Sequence, residues 1–414
     1  MRPAPWLLTC LIFVATIAGA AESQGLPTER PGQLGLTATG LARIDSAMQA
    51  YVMEGKLAGI VVAVAKRGRL AHWKAFGFRK VEAKEPMKPN DLFRIYSMTK
   101  PITSTAVMIL VEAGKVSLDD PVARYLPAFG DVTVWTPSGP VPPRRPMTVR
   151  DLLRHTSGLT YGFFGQTPVD SLYRKMAPAA NLADLTDKLA HLPLVGQPGE
   201  VWNYSYSTDV AGRIVEVVSG VSLDRFFADR IFGPLKMKDS FFEVPIDKRS
   251  RFTGNYARSA PGRFTLVDSP DSGSYTRPAK VLSGGGGLVS STSDYLRFAQ
   301  MILNRGELDG VRLLKPGTVT EMLRNQLAGE MVPAIGGLMK LEGTGFGLGF
   351  NVIVNGRDPL QGGNGTASWA GIANTYFFID PVINLIGVLM TQFSPFGAYP
   401  IEAEFRRLVY SALR

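Results

Sequence analysis

The sequence predicts a mixed α/β (α+β) fold, in which a mostly antiparallel sheet of five strands has helices on both faces and a helical region inserted. Three observations favour it. Runs of strand length that are rich in β-branched residues lie near both ends of the chain, whereas helical spacing dominates between them. The 414 residues are 45% hydrophobic, which is enough to fill a large core. No internal repeat or low-complexity tract indicates a different architecture.

The predicted strands come from two distant regions of the chain. Gly59 to Ala65 and Leu70 to Phe76 flank the turn Lys66-Arg67-Gly68, and together they predict a hairpin. Three more runs follow in the last third, at Thr366 to Ile372, Thr375 to Ile379 and Leu385 to Thr391. A single sheet that contains all five strands would bring the two ends of the chain together.

The helices and the domain boundaries follow from the spacing of apolar side chains. The predicted helices are Leu41 to Met53, Ile102 to Ala113, a short one capped by Thr148-Val149-Arg150-Asp151, Asp209 to Ser219, one from Ser293-Asp294 to Arg305, and Glu402 to Leu413. The chain would then divide into a flexible arm (21–40), a sheet domain (41–125 and 281–414) and a helical and loop-rich insert domain (126–280).

The first 20 residues are typical of a secretory signal peptide. Arg2 precedes an apolar run, Trp6 to Ile17, and the small residues Ala18-Gly19-Ala20 suit a cleavage site. The run is shorter than the roughly 20 apolar residues that span a membrane. We therefore predict a bacterial protein exported to the periplasm or secreted, with no stable membrane span once the signal is removed. The chain's single cysteine, Cys10, lies inside this segment, so the mature protein would lack disulfides.

The net charge of +10 does not indicate a nucleic-acid partner, because the basic residues are dispersed rather than gathered in one stripe. The three histidines, His72, His155 and His191, are too scattered to predict a zinc site. The glycine run 284–287 lacks the context of a phosphate loop and is interpreted as a tight turn. We expect a small-molecule substrate, with no cofactor and no metal. The sequence leaves the oligomeric state open.

Ser97-Met98-Thr99-Lys100 is the only S-x-x-K sequence in the chain, and it predicts an activated serine. A serine hydroxyl is a weak nucleophile until a base takes its proton. A lysine three positions later lies on the same face of a helix, where a neutral amine would be that base. Pro101 indicates a helix start near Ser97, because proline is tolerated in a first turn. By itself the tetrapeptide is also compatible with a helix cap and a solvated lysine.

Two further motifs would supply partners for this serine. Tyr204, in Trp202-Asn203-Tyr204-Ser205-Tyr206, precedes a predicted helix and would add a phenol that relays a proton, with its pKa lowered by a nearby cation. In Ser368-Trp369-Ala370-Gly371-Ile372, a glycine on a strand lets the backbone approach a substrate, and the next N–H would complete an oxyanion hole. Each motif alone is also compatible with a structural role.

The three motifs resemble those of the serine β-lactamase and penicillin-binding-protein superfamily, and most closely its class C β-lactamase-like carboxylesterases, the family VIII esterases. Ser97 and Lys100 match the first motif, Tyr204-Ser205-Tyr206 the second, and Trp369-Ala370-Gly371 the W-x-G that these esterases carry where lactamases have K-T-G. Other similar stretches are Leu118-Asp119-Asp120-Pro121, Asp151 to Leu159, Gly287-Leu288-Val289-Ser290 and Ile379-Asp380-Pro381. The likeness runs from about residue 40 to the C-terminus and implies the β-lactamase/DD-peptidase-like fold.

The resemblance also implies a mechanism. Ser97 would attack an ester carbonyl and become acylated, while Lys100 and Tyr204 together remove its proton and pass it to the leaving alcohol. The N–H groups of Ser97 and Ile372 would hold the oxyanion. Gly371, which has no side chain, would let the strand backbone approach the substrate. Water would then hydrolyse the acyl-enzyme. Whether Lys100 or Tyr204 is the true base is left open.

Two departures from the lactamase pattern favour ester substrates, short acyl chains in particular. Lactamases commonly have Tyr-x-Asn, whereas Tyr206 stands at the third position here and offers no amide to a substrate. Trp369 replaces the lysine that helps to attract a drug carboxylate, and an indole suits a neutral group better. We therefore predict a serine carboxylesterase. The alternative is a β-lactamase or a D-alanyl-D-alanine peptidase-like enzyme.

Two other classes are less favoured. A Ser-His-Asp hydrolase would need a nucleophile elbow, and no G-x-S-x-G occurs. His155 ends a short predicted helix, where a histidine is expected to act as a partner of the helix dipole. A non-catalytic sensor or scaffold related to penicillin-binding proteins is disfavoured because Ser97, Lys100 and Tyr204 are all present.

Overall fold

An antiparallel sheet of eight strands forms the centre of the structure, a computed structural model that describes residues 25–260, 263–329, 331–335 and 339–414. The predicted signal peptide, with Cys10, lies outside the described residues, and the export that it implies stays a prediction. The five predicted strands form the continuous middle of the sheet, and three short strands extend its two edges. The predicted architecture, an antiparallel sheet flanked by helices, is confirmed.

Ten helices and seventeen strands make up the described part of the chain. The helices are α1 (Ala38–Met53), α2 (Thr99–Glu112), α3 (Val149–Leu153), α4 (Pro168–Arg174), α5 (Leu182–Ala190), α6 (Ser207–Ser219), α7 (Leu223–Phe227), α8 (Thr292–Leu303), α9 (Pro316–Leu323) and α10 (Ile401–Ser411). The strands are β1 (Gly59–Lys66), β2 (Arg69–Lys80), β3 (Glu85–Pro86), β4 (Leu92–Arg94), β5 (Asn255–Ala260), β6 (Arg263–Asp268), β7 (Val289–Ser291), β8 (Glu307–Leu308), β9 (Val311–Arg312), β10 (Ala334–Ile335), β11 (Met339–Lys340), β12 (Thr344–Phe346), β13 (Asn351–Ile353), β14 (Ala367–Ala370), β15 (Tyr376–Asp380), β16 (Leu385–Thr391) and β17 (Phe393–Ser394). None of the described helices is long and apolar enough to span a membrane.

The large sheet has the strand order β12-β13-β14-β15-β16-β1-β2-β3. β1 joins the two ends of the chain, because it pairs with β2 on one side and with β16 on the other. Its side chains alternate between two hydrophobic clusters: Val61 and Ala63 belong to the one that contains α2 and α8, and Ile60 and Val62 to the one that contains α1 and α10. The strand is apolar throughout because helices cover both faces of the sheet.

The segment expected to be a flexible arm lies against the sheet domain from residue 25 onward. Leu26, Leu34 and Leu36 are buried, and a backbone bridge joins Leu36 to Leu413. The segment was predicted to be flexible because its composition is mostly polar with glycine and proline. Its three leucines nevertheless pack on the sheet domain and hold the segment there. A terminal segment is ordered when it is tied down in this way.

Helices and loops make up most of the segment 126–280, and this segment packs on the same core as the sheet domain. α6 lies against α2, and the buried side chains of both helices belong to one hydrophobic cluster. β5 and β6 form a hairpin where only loop was expected, and β17 pairs with β5 in parallel. The side chains of β6 are mostly exposed, so its sequence lacks the apolar alternation that indicates a strand.

Candidate active site

Ser97 lies in the turn that joins β4 to α2. A single 3-10 turn at Tyr96–Met98 follows β4, and α2 begins at Thr99, so the helix starts beside Ser97 as predicted. Tyr96 has a left-handed backbone angle, φ 42°, which costs energy in a residue with a side chain. Such strain is typical of functional turns, and Ser97 lines a large cleft.

Lys100 is completely buried, and its amine contacts three oxygen atoms. Nζ lies 3.2 Å from Ser97 Oγ, 2.9 Å from the Tyr161 hydroxyl and 2.7 Å from the carbonyl oxygen of Gly285. Burial lowers the pKa of Lys100 from 10.5 to about 7, although the carboxyl of Asp209 opposes this shift. The neutral amine is therefore well populated at pH 7. It donates to Gly285 and keeps a lone pair that is free to accept the proton of Ser97.

Tyr204 joins Ser97 and Lys100, so the structure brings the three predicted side chains together. The Tyr204 hydroxyl lies near that of Ser97, with no hydrogen bond of normal geometry between them, and it accepts a hydrogen bond from Trp369 Nε1 at 3.2 Å. Lys100 Nζ lies 4.4 Å from the centre of its ring. Burial raises the pKa of Tyr204, so the expectation that a nearby cation lowers it is wrong. The physical reason is that burial outweighs any nearby charge, and Lys100 itself is only partly protonated at neutral pH.

The glycine turn at 284–287 holds the amine of Lys100 in place. Gly285 accepts from Lys100 through its carbonyl, and its N–H donates to Asp209 Oδ1 at 3.2 Å. The hydroxyl of Ser283 donates to the same carboxylate oxygen. A Cβ on Gly285 would lie 2.4 Å from Asp209 Oδ2 and 2.8 Å from the Tyr161 hydroxyl, so no side chain fits there. The sequence predicted a tight turn at this point but did not link it to Lys100.

Tyr161 and Asp209 are site residues that sequence reasoning missed. Tyr161 hydrogen-bonds with Lys100, and its ring packs edge-on against the rings of Tyr204 and Tyr206. Burial raises the pKa of Tyr161 well above 10, so this phenol is neutral. A signal was present, because Tyr161 lies two residues after the stretch 151–159 that resembles the family.

Gly371 and Ile372 lie at the end of β14, next to the turn that carries Ser97. A Cβ on Gly371 would lie 2.5 Å from the Ile95 carbonyl oxygen, so this close approach requires glycine. Within the described chain, the N–H groups of Ser97 and Ile372 donate to no protein acceptor. An oxyanion hole needs such free donors. The role of these two groups in holding an oxyanion stays a prediction.

Tyr206 and His155 differ in their relation to the cleft. Tyr206 precedes α6 and lines the cleft, as predicted for a substrate-binding residue. His155 is fully buried behind Tyr204, with the two ring centres 4.9 Å apart. Burial lowers the pKa of His155 well below 6.5, so the ring is neutral. The expectation that it interacts as a cation with the helix dipole is therefore wrong.

The cleft that Ser97 lines has a volume of about 1000 Å³. Aromatic side chains form much of its surface near the serine: Tyr96, Tyr161, Phe163, Phe164, Tyr204, Tyr206 and Trp369. The loop 394–400 and the first turns of α10 form its far end. Among the residues that the structure describes, no group of His, Cys, Asp and Glu side chains could hold a metal ion.

The chain is similar in sequence and in fold to known proteins. The beta-lactamase family model matches residues 44–411. Protein Rv1367c of Mycobacterium tuberculosis is 36% identical, over 82% of this chain and 87% of its own length. Esterase EstB of Burkholderia gladioli is 31% identical, over 92% of this chain and 98% of its own length. The solved structure of EstCE1, a hydrolase with promiscuous acyltransferase activity, has a TM-score of 0.77 at 26% identity and covers 90% of this chain and 99% of that one.

Proposed function

The chain belongs to the beta-lactamase family, and we propose that it is a serine esterase that hydrolyses carboxylic esters through an acyl-enzyme on Ser97. Esters of short acyl chains are the substrates we expect. The observation that carries the proposal is the buried amine of Lys100, 3.2 Å from the hydroxyl of Ser97 on the surface of an open cleft. The relationship to esterase EstB supports the same reaction class.

In the acylation step, Lys100 is the general base. Its lone pair takes the proton of Ser97 as the serine oxygen attacks the ester carbonyl carbon. Tyr204 remains a protonated phenol because burial raises its pKa. It therefore donates its proton to the departing alkoxide, and the proton held by Lys100 restores the phenol. The net result is that the serine proton leaves with the alcohol.

The tetrahedral intermediate carries a negative charge on the former carbonyl oxygen. The unpaired N–H groups of Ser97 and Ile372 are the donors proposed to hold it. Losing one donor of this kind typically costs roughly 3–4 kcal/mol of transition-state stabilisation. In the second half of the reaction, water enters where the alcohol left. Lys100 takes a proton from the water as the water oxygen attacks the acyl carbon. The bond between that carbon and Ser97 Oγ then breaks, the acid leaves, and Lys100 returns the proton to Ser97.

The surface of the cleft supports an ester rather than a β-lactam substrate. Trp369 stands where a lactamase has a lysine, and its indole N–H is already engaged by Tyr204. The aromatic residues around it are neutral and favour apolar acyl or alkoxy groups. A β-lactam carboxylate would find no lysine at this position. The acylation chemistry is nevertheless shared, which keeps a lactamase as the alternative outcome of the test.

The test compares the purified protein on p-nitrophenyl butyrate and on a chromogenic cephalosporin, each with the Ser97→Ala variant as the control. We expect ester turnover to dominate in the natural sequence and to be lost in the variant. Dominant cephalosporin turnover would contradict the ester assignment and favour the lactamase. Ester turnover at an unchanged rate in Ser97→Ala would contradict the acyl-enzyme itself.

Transfer of the acyl group to an alcohol is a second candidate activity. EstCE1 is a hydrolase with promiscuous acyltransferase activity, and an alcohol in place of water completes the same second step. The cleft of about 1000 Å³ has room for an acyl group and an acceptor together. With ethanol added to the p-nitrophenyl butyrate reaction, this candidate predicts ethyl butyrate, detected by gas chromatography. Butyric acid as the single acyl product would contradict it.

A further inference from the structure

The cleft continues from Ser97 past the end of β14 to the face of the sheet that α10 covers. Asn351, Tyr376 and Glu402 line this far end of the same cavity. Tyr376 belongs to the hydrophobic cluster beneath α10, whereas Trp369, one residue before the end of β14, belongs to the other cluster. The far end therefore lies across the strand end from the aromatic part of the cleft.

Polar atoms at this far end are shielded from solvent and lack partners. Asn351 Oδ1, the Tyr376 hydroxyl and Glu402 Oε1 form no hydrogen bond of normal geometry within the described residues, although the side chain of Ser368 lies near enough to the Tyr376 hydroxyl to act on its pKa. The side chains of Asn351 and Tyr376 are 8% and 5% exposed. Most buried polar atoms in folded proteins are paired. Three unpaired atoms on one cavity surface therefore indicate a missing partner that enters the cavity.

The first turn of α10 contains a second glutamate that provides a contrast. Glu404 accepts a hydrogen bond from the Tyr51 hydroxyl at 2.7 Å and does not line the cleft. Glu402, two residues earlier, lines the cleft and has an unpaired oxygen. A preference of acidic residues for a helix N-terminus accounts for both glutamates. It does not account for the difference between them.

The chemistry of the three groups favours a neutral hydroxyl as the partner. Asn351 Oδ1 accepts hydrogen bonds, and the Tyr376 hydroxyl both donates and accepts. Burial raises the pKa of Glu402 to about 8, so its carboxyl is largely protonated at neutral pH and can also do both. An ammonium group would face the positive charge of Arg406, which lies 5.9 Å from the Tyr376 ring. A carboxylate would place its oxygens against Asn351 Oδ1, which has no hydrogen to donate, and Arg406 donates its Nε–H to Gln361.

We propose that Asn351, Tyr376 and Glu402 form a polar subsite that binds a hydroxyl group of the substrate, so that the preferred esters are hydroxylated. The inference rests on the proposed esterase function and names its substrate class. The hydroxyl belongs to either the acyl or the alcohol part of the ester. In both cases it forms the hydrogen bonds that the three buried atoms lack.

Two pairs of esters test the subsite and distinguish the two positions of the hydroxyl. Glyceryl monobutyrate is compared with propyl butyrate, and the ethyl ester of ω-hydroxyhexanoic acid with ethyl hexanoate. We expect the kcat/KM ratio of hydroxylated to plain ester to exceed one in one of the pairs. Tyr376→Phe, which removes one oxygen atom, and Glu402→Leu should each lower that ratio about fivefold, as loss of one hydrogen bond predicts.

Glu404→Leu is the matched control, because it makes the same change in the same helical turn outside the cleft, and it should leave the ratio unchanged. Glu402→Gln should retain most of the ratio, since an amide also donates and accepts. Turnover of the plain esters with ratios near one in both pairs would overturn the subsite and leave the esterase function standing. Equal ratios in natural protein and in folded Tyr376→Phe would overturn it as well. Absence of turnover of all four esters would contradict the esterase function on which the subsite rests.

Discussion

A lysine that is neutral near pH 7 distinguishes this site from a surface Ser-Lys pair. Burial lowers the pKa of Lys100 to about 7, so that the neutral and the charged amine are both populated at neutral pH, while the carboxyl of Asp209 opposes the shift. Gly285 and Tyr161 are two of the three contacts of the amine, which leaves its lone pair for the third contact, Ser97. At the scale of single residues, catalysis therefore depends on the protonation state of one amine.

The pH profile of kcat/KM tests this protonation state. Because neutral Lys100 is the active form and its pKa is about 7, the rate should rise with pH and reach half its maximum near pH 7. It should then stay level at higher pH, since the pKa of Tyr204 is raised by burial. Asp209→Asn removes the charge that raises the pKa of Lys100, so its midpoint should move to lower pH. A midpoint that stays in place or rises in the variant would contradict this coupling.

The two tyrosines that flank Lys100 should differ in their effect on the rate. Tyr204 lies near Ser97 and is the proposed proton donor, so Tyr204→Phe should lower kcat by about 100-fold or more, as loss of an acid–base group does. Tyr161 hydrogen-bonds with the amine of Lys100 but transfers no proton in the proposed steps, so Tyr161→Phe should cost about tenfold or less, the value of one hydrogen bond. Steady-state kinetics of both variants check this order. A larger loss of kcat in Tyr161→Phe than in Tyr204→Phe would contradict the assignment of Tyr204 as the proton donor.

At the scale of elements, the site depends on the glycine turn at 284–287, which connects Asp209 at the start of α6 with Lys100 in α2. Its shape matters because its carbonyl, not a side chain, holds the catalytic amine. A substitution that moves the backbone by less than an ångström would therefore move Lys100 relative to Ser97.

Gly285→Ala tests this connection. Its Cβ would lie 2.4 Å from Asp209 Oδ2, so the turn must shift and kcat should fall by about tenfold or more. Gly363→Ala is the matched control, because a Cβ at Gly363 meets nothing within 4 Å. Melting temperatures measured in parallel separate misplacement of Lys100 from unfolding. Full activity in folded Gly285→Ala would show that the turn does not position the amine.

The strands and helices that sequence periodicity predicted are those whose apolar side chains repeat along the element. β1 and β16 are buried on both faces and were predicted nearly to the residue. The hairpin of β5 and β6 was missed because the side chains of β6 are mostly exposed, so its sequence lacks the apolar alternation of a half-buried strand. The same difference in local signal explains the arm, where isolated leucines rather than a pattern hold the chain.

The site residues, like the elements, divide into those that a local sequence pattern predicts and those that it does not. Ser97, Lys100 and Tyr204 belong to motifs with fixed local spacing, and the fold brings them together. Tyr161 and Asp209 carry no such spacing with respect to Lys100. Their contacts arise because the loop after α3 and the first turn of α6 meet the glycine turn, which no local pattern encodes.

At the scale of the whole molecule, one hydrophobic core extends through the sheet domain and the helical insert, and the cleft opens between parts of both. Ser97 and Lys100 come from the first part of the chain, Tyr204 from the insert, and Trp369 from the last third. The fold therefore provides the function only when three distant segments are in place. Loss of the Ser97 hydroxyl alone should leave that arrangement intact, because Ser97 is not part of the core.

Covalent labelling of Ser97 tests the central claim most directly. The folded protein would be treated with a fluorophosphonate, digested, and analysed by mass spectrometry to locate the adduct. The arrangement of Ser97 and Lys100 predicts one adduct per chain, on the peptide that contains Ser97, with none in a Ser97→Ala variant of unchanged circular dichroism. Labelling at another residue, or no labelling of the folded natural protein, would contradict the assignment of Ser97 as the nucleophile.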